Sequence, residues 1–302
     1  ARKEGKLMLY TANFAEVEQD TIKAFNKRFP FIKIEMVRAG GGQLIVRIKT
    51  EAASGRLLAD IVDHSDGGLM RPLEHLFQDY APPNAQDYLP NALVSPKLWP
   101  RLTPGWSIAY SPALLKNPPK SWRDLTKPEY GDGITGLGPP QGGTTWTRVM
   151  FERQVLGERY WADLARNKPR LYPSGAPLAD ALVRGEVSVA PLVFNIVYNK
   201  VKDGAPIEYF FPPEGVPITP YATGIPKTAQ NPNAARLYLN WCLSAEGQKF
   251  QVEVIGNLSS LKTAEFPKGL NPSKLWLPDL EQLESLRDPW IEEWNKLFSY
   301  RQ

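Results

Sequence analysis

Between Leu7 and Val62 the spacing of apolar residues switches repeatedly between strand and helix, and this alternation constrains the fold more than any other feature. Leu7 to Tyr10 is a short apolar run that ends in the polar turn Thr11-Ala12-Asn13. Val17, Ile22, Phe25 and Phe29 then recur at helical spacing, and Pro30 marks the exit. Ile32 to Val37 alternates as a strand, Gly40-Gly41-Gly42 makes a sharp loop, and Leu44, Ile45, Ile48 and Ala52 set out a second helix. Leu58 to Val62 is a third strand running into Asp63-His64-Ser65-Asp66-Gly67-Gly68. Strands that alternate with helices must be parallel, so the expected class is α/β with a sheet covered on both sides.

The segment Leu76 to Pro104 is rich in proline and polar residues and predicts little regular structure. A second alternating set follows, with strands at 105–110, 133–137, 169–171 and 187–192 and helices at 142–155 and 178–184. After Pro212, Pro213, Pro217 and Pro220 the pattern returns to a strand and a strong helix over 233–243. A chain of 302 residues exceeds the usual size of one hydrophobic core. We therefore expect two α/β lobes: lobe 1 from 1–105 and 219–302, and lobe 2 inserted as 106–218. Pro/Gly-rich joints near 103–106 and 212–220 would form a two-crossing hinge, with a ligand cleft between the lobes.

Composition removes several function classes. No apolar run approaches the roughly 18 to 20 residues needed to cross a bilayer. The net charge of +4 is spread over the chain without a block of five Lys or Arg residues, so no nucleic-acid footprint is visible. Cys242 is the only cysteine, which excludes an internal disulfide; its helical setting predicts a small buried hydrophobe. His64 and His75, both expected at the surface or in loops, are too few for a zinc site or a Ser-His-Asp triad. Asp60, Asp63 and Asp66 lack the glycine and glutamate that a calcium loop requires. No enzyme, metal or cofactor is expected. The start, ARKEGKLMLY, carries no apolar leader, which fits a cytosolic chain or the mature form of a secreted one.

Ligands of open α/β sheets lie beyond the carboxyl ends of the strands, which selects four loops. In the first lobe they offer Thr11, Asn13, Ser65 and Asp66, the last suited to a ligand ammonium group. In the second they are Gln141 to Thr145 and Asn195 to Tyr198. The run GPPQGGTTW (138–146) is the sharpest: glycines admit close approach, and Gly143, Thr144 and Thr145 would surround an anion at a helix entrance. Thr144 can equally be a helix cap. AGGGQL (39–44) is a second glycine-rich helix entrance, where a turn requirement and anion contact compete. Asn195 and Tyr198 follow the strand at 187–192, Trp106 sits at the first crossing, and Thr223 lies near the second.

The segment ATGIPKTAQNPNAARLYLNWCLSAEGQ (222–248) resembles the extracellular solute-binding proteins of ABC importers, in the branch that includes ferric-ion, phosphonate, sugar-phosphate and small-carboxylate binders. GKLMLYTANF, GGGQLIVRIKTEAASGRLLADI and RGEVSVAPL support the resemblance, which covers nearly the whole chain. It implies a type II periplasmic binding fold, a removed leader, a periplasmic monomer, and delivery of a small anionic solute to an inner-membrane permease and its ATPase. Ferric binders of the family carry a consecutive tyrosine pair where this chain has PLVFNIVYNK, with Phe194, Asn195 and one tyrosine, Tyr198. Hard ferric iron needs several anionic oxygens, so an organic carboxylate or phosphorus oxyacid ranks first and iron second. An enzyme on the same two-lobed fold is the third alternative; it needs an acid–base or covalent centre that the sequence does not display.

Overall fold

A computed structural model describes residues 1–140 and 142–300. The expected alternation opens the chain: β1 (Lys6–Thr11), α1 (Ala15–Arg28), β2 (Lys33–Arg38), α2 (Gly41–Ala53), β3 (Ile61–His64) and the single turn α3 (Gly67–Met70). Three short 3-10 turns carry the proline-rich stretch that follows. Then come β4 (Trp106–Tyr110), β5 (Gly136–Leu137), α4 (Gly143–Phe151), α5 (Tyr160–Arg166), β6 (Arg170–Leu171), α6 (Gly175–Val183), β7 (Val189–Val193), α7 (Phe194–Lys202), β8 (Glu208–Phe210) and β9 (Val216–Pro217). The last third holds β10 (Ala222–Gly224), α8 (Pro232–Leu243), α9 (Ala245–Phe250), β11 (Leu275–Trp276), α10 (Leu280–Leu283) and α11 (Arg287–Leu297).

Two compact α/β units result. The first comprises Ala1–Thr103, Thr219–Val254 and Ser259–Glu265. Its sheet runs β10-β3-β1-β2, with β1 parallel to both β2 and β3 and β10 antiparallel to β3. Helix α2 buries Leu44, Ile45 and Ile48 on one face of it, while Phe25 of α1 packs with Tyr238 and Trp241 of α8 on another core. Burial of side chains of this size contributes roughly 1.5–3 kcal/mol each. Cys242 is buried in the same cluster, and desolvation pushes its thiol up to about 12, so it is an inert hydrophobe.

The second unit comprises 104–218, 255–258 and the residues from 266 onward. Its sheet has β4 flanked by β7 and β8, both antiparallel, and Thr135 bridges Val189 in parallel to bring the β5–β6 pair alongside. The C-terminal segment was expected in lobe 1, but from 266 it packs within the second unit. Trp294 of α11 is fully buried there, and Trp290 of the same helix meets Trp146 and Trp161 at 6.1 Å. Such wide aromatic surfaces dominate the cost of leaving a segment outside a core. The chain accordingly passes between units at 103/104 and 218/219 and again at 254/255, 258/259 and 265/266.

Candidate functional site

In the first unit, parallel pairing places the carboxyl ends of β1, β2 and β3 at one edge of the sheet. Most of the polar groups there are committed to an internal ion network. Arg101, fully buried, donates to Glu18 Oε1 at 2.6 Å, to Asp63 Oδ2 at 2.6 Å and to the Tyr238 hydroxyl at 3.3 Å. Thr11 donates to Glu18 Oε1 at 3.0 Å, and Asn13 donates to the same oxygen at 3.1 Å. The Thr223 hydroxyl donates to Asp63 Oδ1. Three groups expected to face a ligand, Thr11, Asn13 and Thr223, thus satisfy buried carboxylates; a charge removed from water recruits every donor in reach.

Asp66 was expected to meet a ligand ammonium group and instead caps α3, accepting from the Leu69 amide at 3.2 Å. His64, expected at the surface or in a loop, ends β3 and is buried: Nδ1 accepts from the Asp66 amide, so Nε2 carries the proton and donates to Gly41 O. This ring explains one glycine of AGGGQL, since a Cβ on Gly41 would come within 3.2 Å of His64 Nε2, whereas Gly42 faces open space. Ser65 is half-buried in its loop.

Two residues absent from the sequence reading stand at this edge. Arg38 closes β2 opposite Thr11, is exposed, and its Nε donates to Asn13 O at 3.1 Å. No carboxylate lies within 4 Å of it among the described residues, so its remaining N–H groups suit an incoming anion. Phe14, 41% exposed, precedes α1 beside it. The only sequence cue to either was its position just past an apolar run.

In the second unit, the strand directions bring the carboxyl ends of β5 and β7 and the start of β4 to one edge. Trp106 is buried in the core, and its Nε1 donates to Thr144 O at 3.1 Å; it holds the α4 entrance instead of lining a cleft. At that entrance Gly142 is the N-cap and has no side chain to offer, so Thr145 does the capping: its hydroxyl accepts from Gly142 N at 3.0 Å and donates to Gly142 O at 2.9 Å. Thr144 is half-buried, and no hydrogen bond engages its hydroxyl among the described residues. The amides of Gly143, Thr144 and Thr145 have no intrahelical acceptor, because the first intrahelical bond runs from Trp146 N to Gly142 O. Gln141, the first residue of the expected loop, lies outside the described residues.

Behind this turn, buried Arg148 donates to Glu152 Oε1 at 2.6 Å and to Gly138 O at 2.8 Å, fixing the loop. Burial raises the Glu152 carboxyl above its ordinary range, while Arg148 and the Trp161 indole oppose the shift. At the start of α7, directly after β7, Asn195 is buried and donates to Asn257 Oδ1 at 3.3 Å. Tyr198 is half-buried and packs on Gly256, whose φ of +81° and lack of Cβ admit the ring. Thr144 and Asn195 share an edge of this unit; Tyr198, one helical turn on, is held by packing.

Residues 10–249 match the family model of the bacterial extracellular solute-binding proteins. The fold is shared with AfuA of Actinobacillus pleuropneumoniae, a periplasmic binding protein solved with exogenous fructose 6-phosphate (23% identity, TM-score 0.77, 98% of this chain and 99% of that one). Iron-bound HitA of Pseudomonas aeruginosa is similar at 22% identity and a TM-score of 0.75, over 98% and 97% of the two chains. The substrate-binding protein of an Agrobacterium tumefaciens ABC transporter superposes with a TM-score of 0.83 at 15% identity, over 97% and 94%. The architecture is the type II periplasmic binding fold. The chain belongs to the bacterial extracellular solute-binding proteins.

Proposed function

We propose that the solute is a small organic anion, a carboxylate or a phosphate or phosphonate ester, captured by the monomer. The α4 entrance carries this reading: among the described residues, three unpaired amides, an uncommitted Thr144 hydroxyl and the positive end of the helix dipole converge where glycine keeps the approach clear. On the first unit, Arg38 supplies a guanidinium with no carboxylate partner among the described residues. Neutral donors and one cation suit an anion that must later be released. Fructose 6-phosphate, the ligand in the AfuA structure, is of this class.

A thermal-shift screen tests it, with fructose 6-phosphate, glycerol 3-phosphate, lactate and propionate set against ferric ion, thiamin and neutral sugars. A ligand at a hundred times its Kd stabilises by about 2.7 kcal/mol, so binding is readily seen. Anions alone should raise Tm, and Arg38→Ala should weaken the shift. A rise with ferric ion and a visible phenolate band, or with a neutral sugar and no anion, would overturn the reading.

A further inference from the structure

Asn195 stands second in α7, directly after β7, and is 4% exposed. Its Nδ2 donates to Asn257 Oδ1 at 3.3 Å, which sets the orientation of the amide; turned over, it would oppose two carbonyl oxygens. Its Oδ1 is buried and meets no donor among the described residues. A buried acceptor without a donor is unfavourable, and native structures rarely leave one unmet. The same end of α7 also presents amides. Phe194 N is taken by Gly105 O at 2.7 Å, whereas Asn195 N and Ile196 N lie in the first turn without an intrahelical acceptor. One helix end thus offers donors to an oxyanion and, beside them, a carbonyl that asks for a donor. An anion alone cannot satisfy both.

We infer that Asn195 Oδ1 receives an O–H or N–H of the solute, so that the solute is an anion carrying a hydroxyl or ammonium group near its charged end. This rests on the anion reading above and narrows it. Sites built to bond a donor reject analogues that lack it far more strongly than apolar pockets reject an extra methylene.

Calorimetric titration of the whole chain with two matched sets tests the inference: glycerol 3-phosphate, phosphoethanolamine and propyl phosphate, and lactate, alanine and propionate. In at least one set, a donor-bearing member should bind the wild type at least tenfold tighter than the member without a donor. Whether the hydroxyl or the ammonium compound leads identifies the donor. Asn195→Leu should erase that advantage, weakening the donor-bearing member at least tenfold more than propyl phosphate or propionate. Equal binding within each set, or an advantage that survives Asn195→Leu, would overturn the inference and leave the anion reading standing. Binding of none of the six, and no Tm rise with fructose 6-phosphate, overturns both. If the leucine variant loses its melting transition, the wild-type ranking alone decides.

Discussion

Arg101 in the first unit and Arg148 in the second are both buried, yet they organise their surroundings differently. Arg101 faces two carboxylates, Glu18 and Asp63, and the excess negative charge draws in the hydroxyls of Thr11 and Thr223 and the amide of Asn13. Arg148 faces one carboxylate, Glu152, and spends its other end on the Gly138 carbonyl. The one-to-one pair needs no further donors from the sheet edge, and the Thr144 hydroxyl stays uncommitted among the described residues. A buried charge imbalance therefore consumes polar groups that a balanced pair leaves available for a ligand.

Removing each arginine is the strongest way to break this comparison. Arg101→Met strands two buried carboxylates and should cost about 3–5 kcal/mol in a urea unfolding curve. Arg148→Met strands one, and should cost less. Glu152 is already raised by burial, and the variant removes the cation that opposes the shift. A carboxyl raised in the folded state binds its proton more tightly there than in the unfolded chain. The stability of Arg148→Met should hence be greatest below the ordinary carboxylate range and fall as pH rises through the raised value. Equal losses for both variants at every pH would remove the distinction between the networks.

The two threonines at the α4 entrance sharpen it. Thr144→Val should lose about 1.5–3 kcal/mol of solute binding, roughly ten- to a hundredfold in Kd, with an unchanged melting curve. Thr145→Val removes the cap and should lower stability by about 1 kcal/mol with little change in affinity. Paired titration and melting measurements separate them; the reverse assignment would return the ligand role to Thr145. The smallest effect concerns the other helix entrance. Gly42→Ala meets open space in the first turn of α2 and should stabilise the protein by about 0.4–1 kcal/mol, whereas Gly41→Ala should not, because His64 stands 3.2 Å away.

The strand–helix order of the first unit was legible because its signals are local: apolar period, proline exits and glycine loops. Helix α2 and its buried Leu44, Ile45 and Ile48 lie where the spacing puts them. Glu18 and Thr21 were not legible as buried residues of α1, since polar residues on an apolar face break the pattern, and the partner that makes Glu18 tolerable is 83 residues away. The C-terminal helix likewise carries no local mark of which core it joins.

By itself the sequence determined the class of fold, the family and the helix entrance at Gly142–Thr145, all of which depend on neighbours a few residues apart. Only the tertiary structure decided which polar groups are already taken. Thr11, Asn13 and Thr223 read as ligand groups until Arg101, from a segment without regular structure, brings Glu18 and Asp63 together. Thr144 and Asn195 looked no different from them in sequence. A hydroxyl or amide is available to a solute only when no buried charge has claimed it, and that claim is made across the fold, between residues that no local pattern connects.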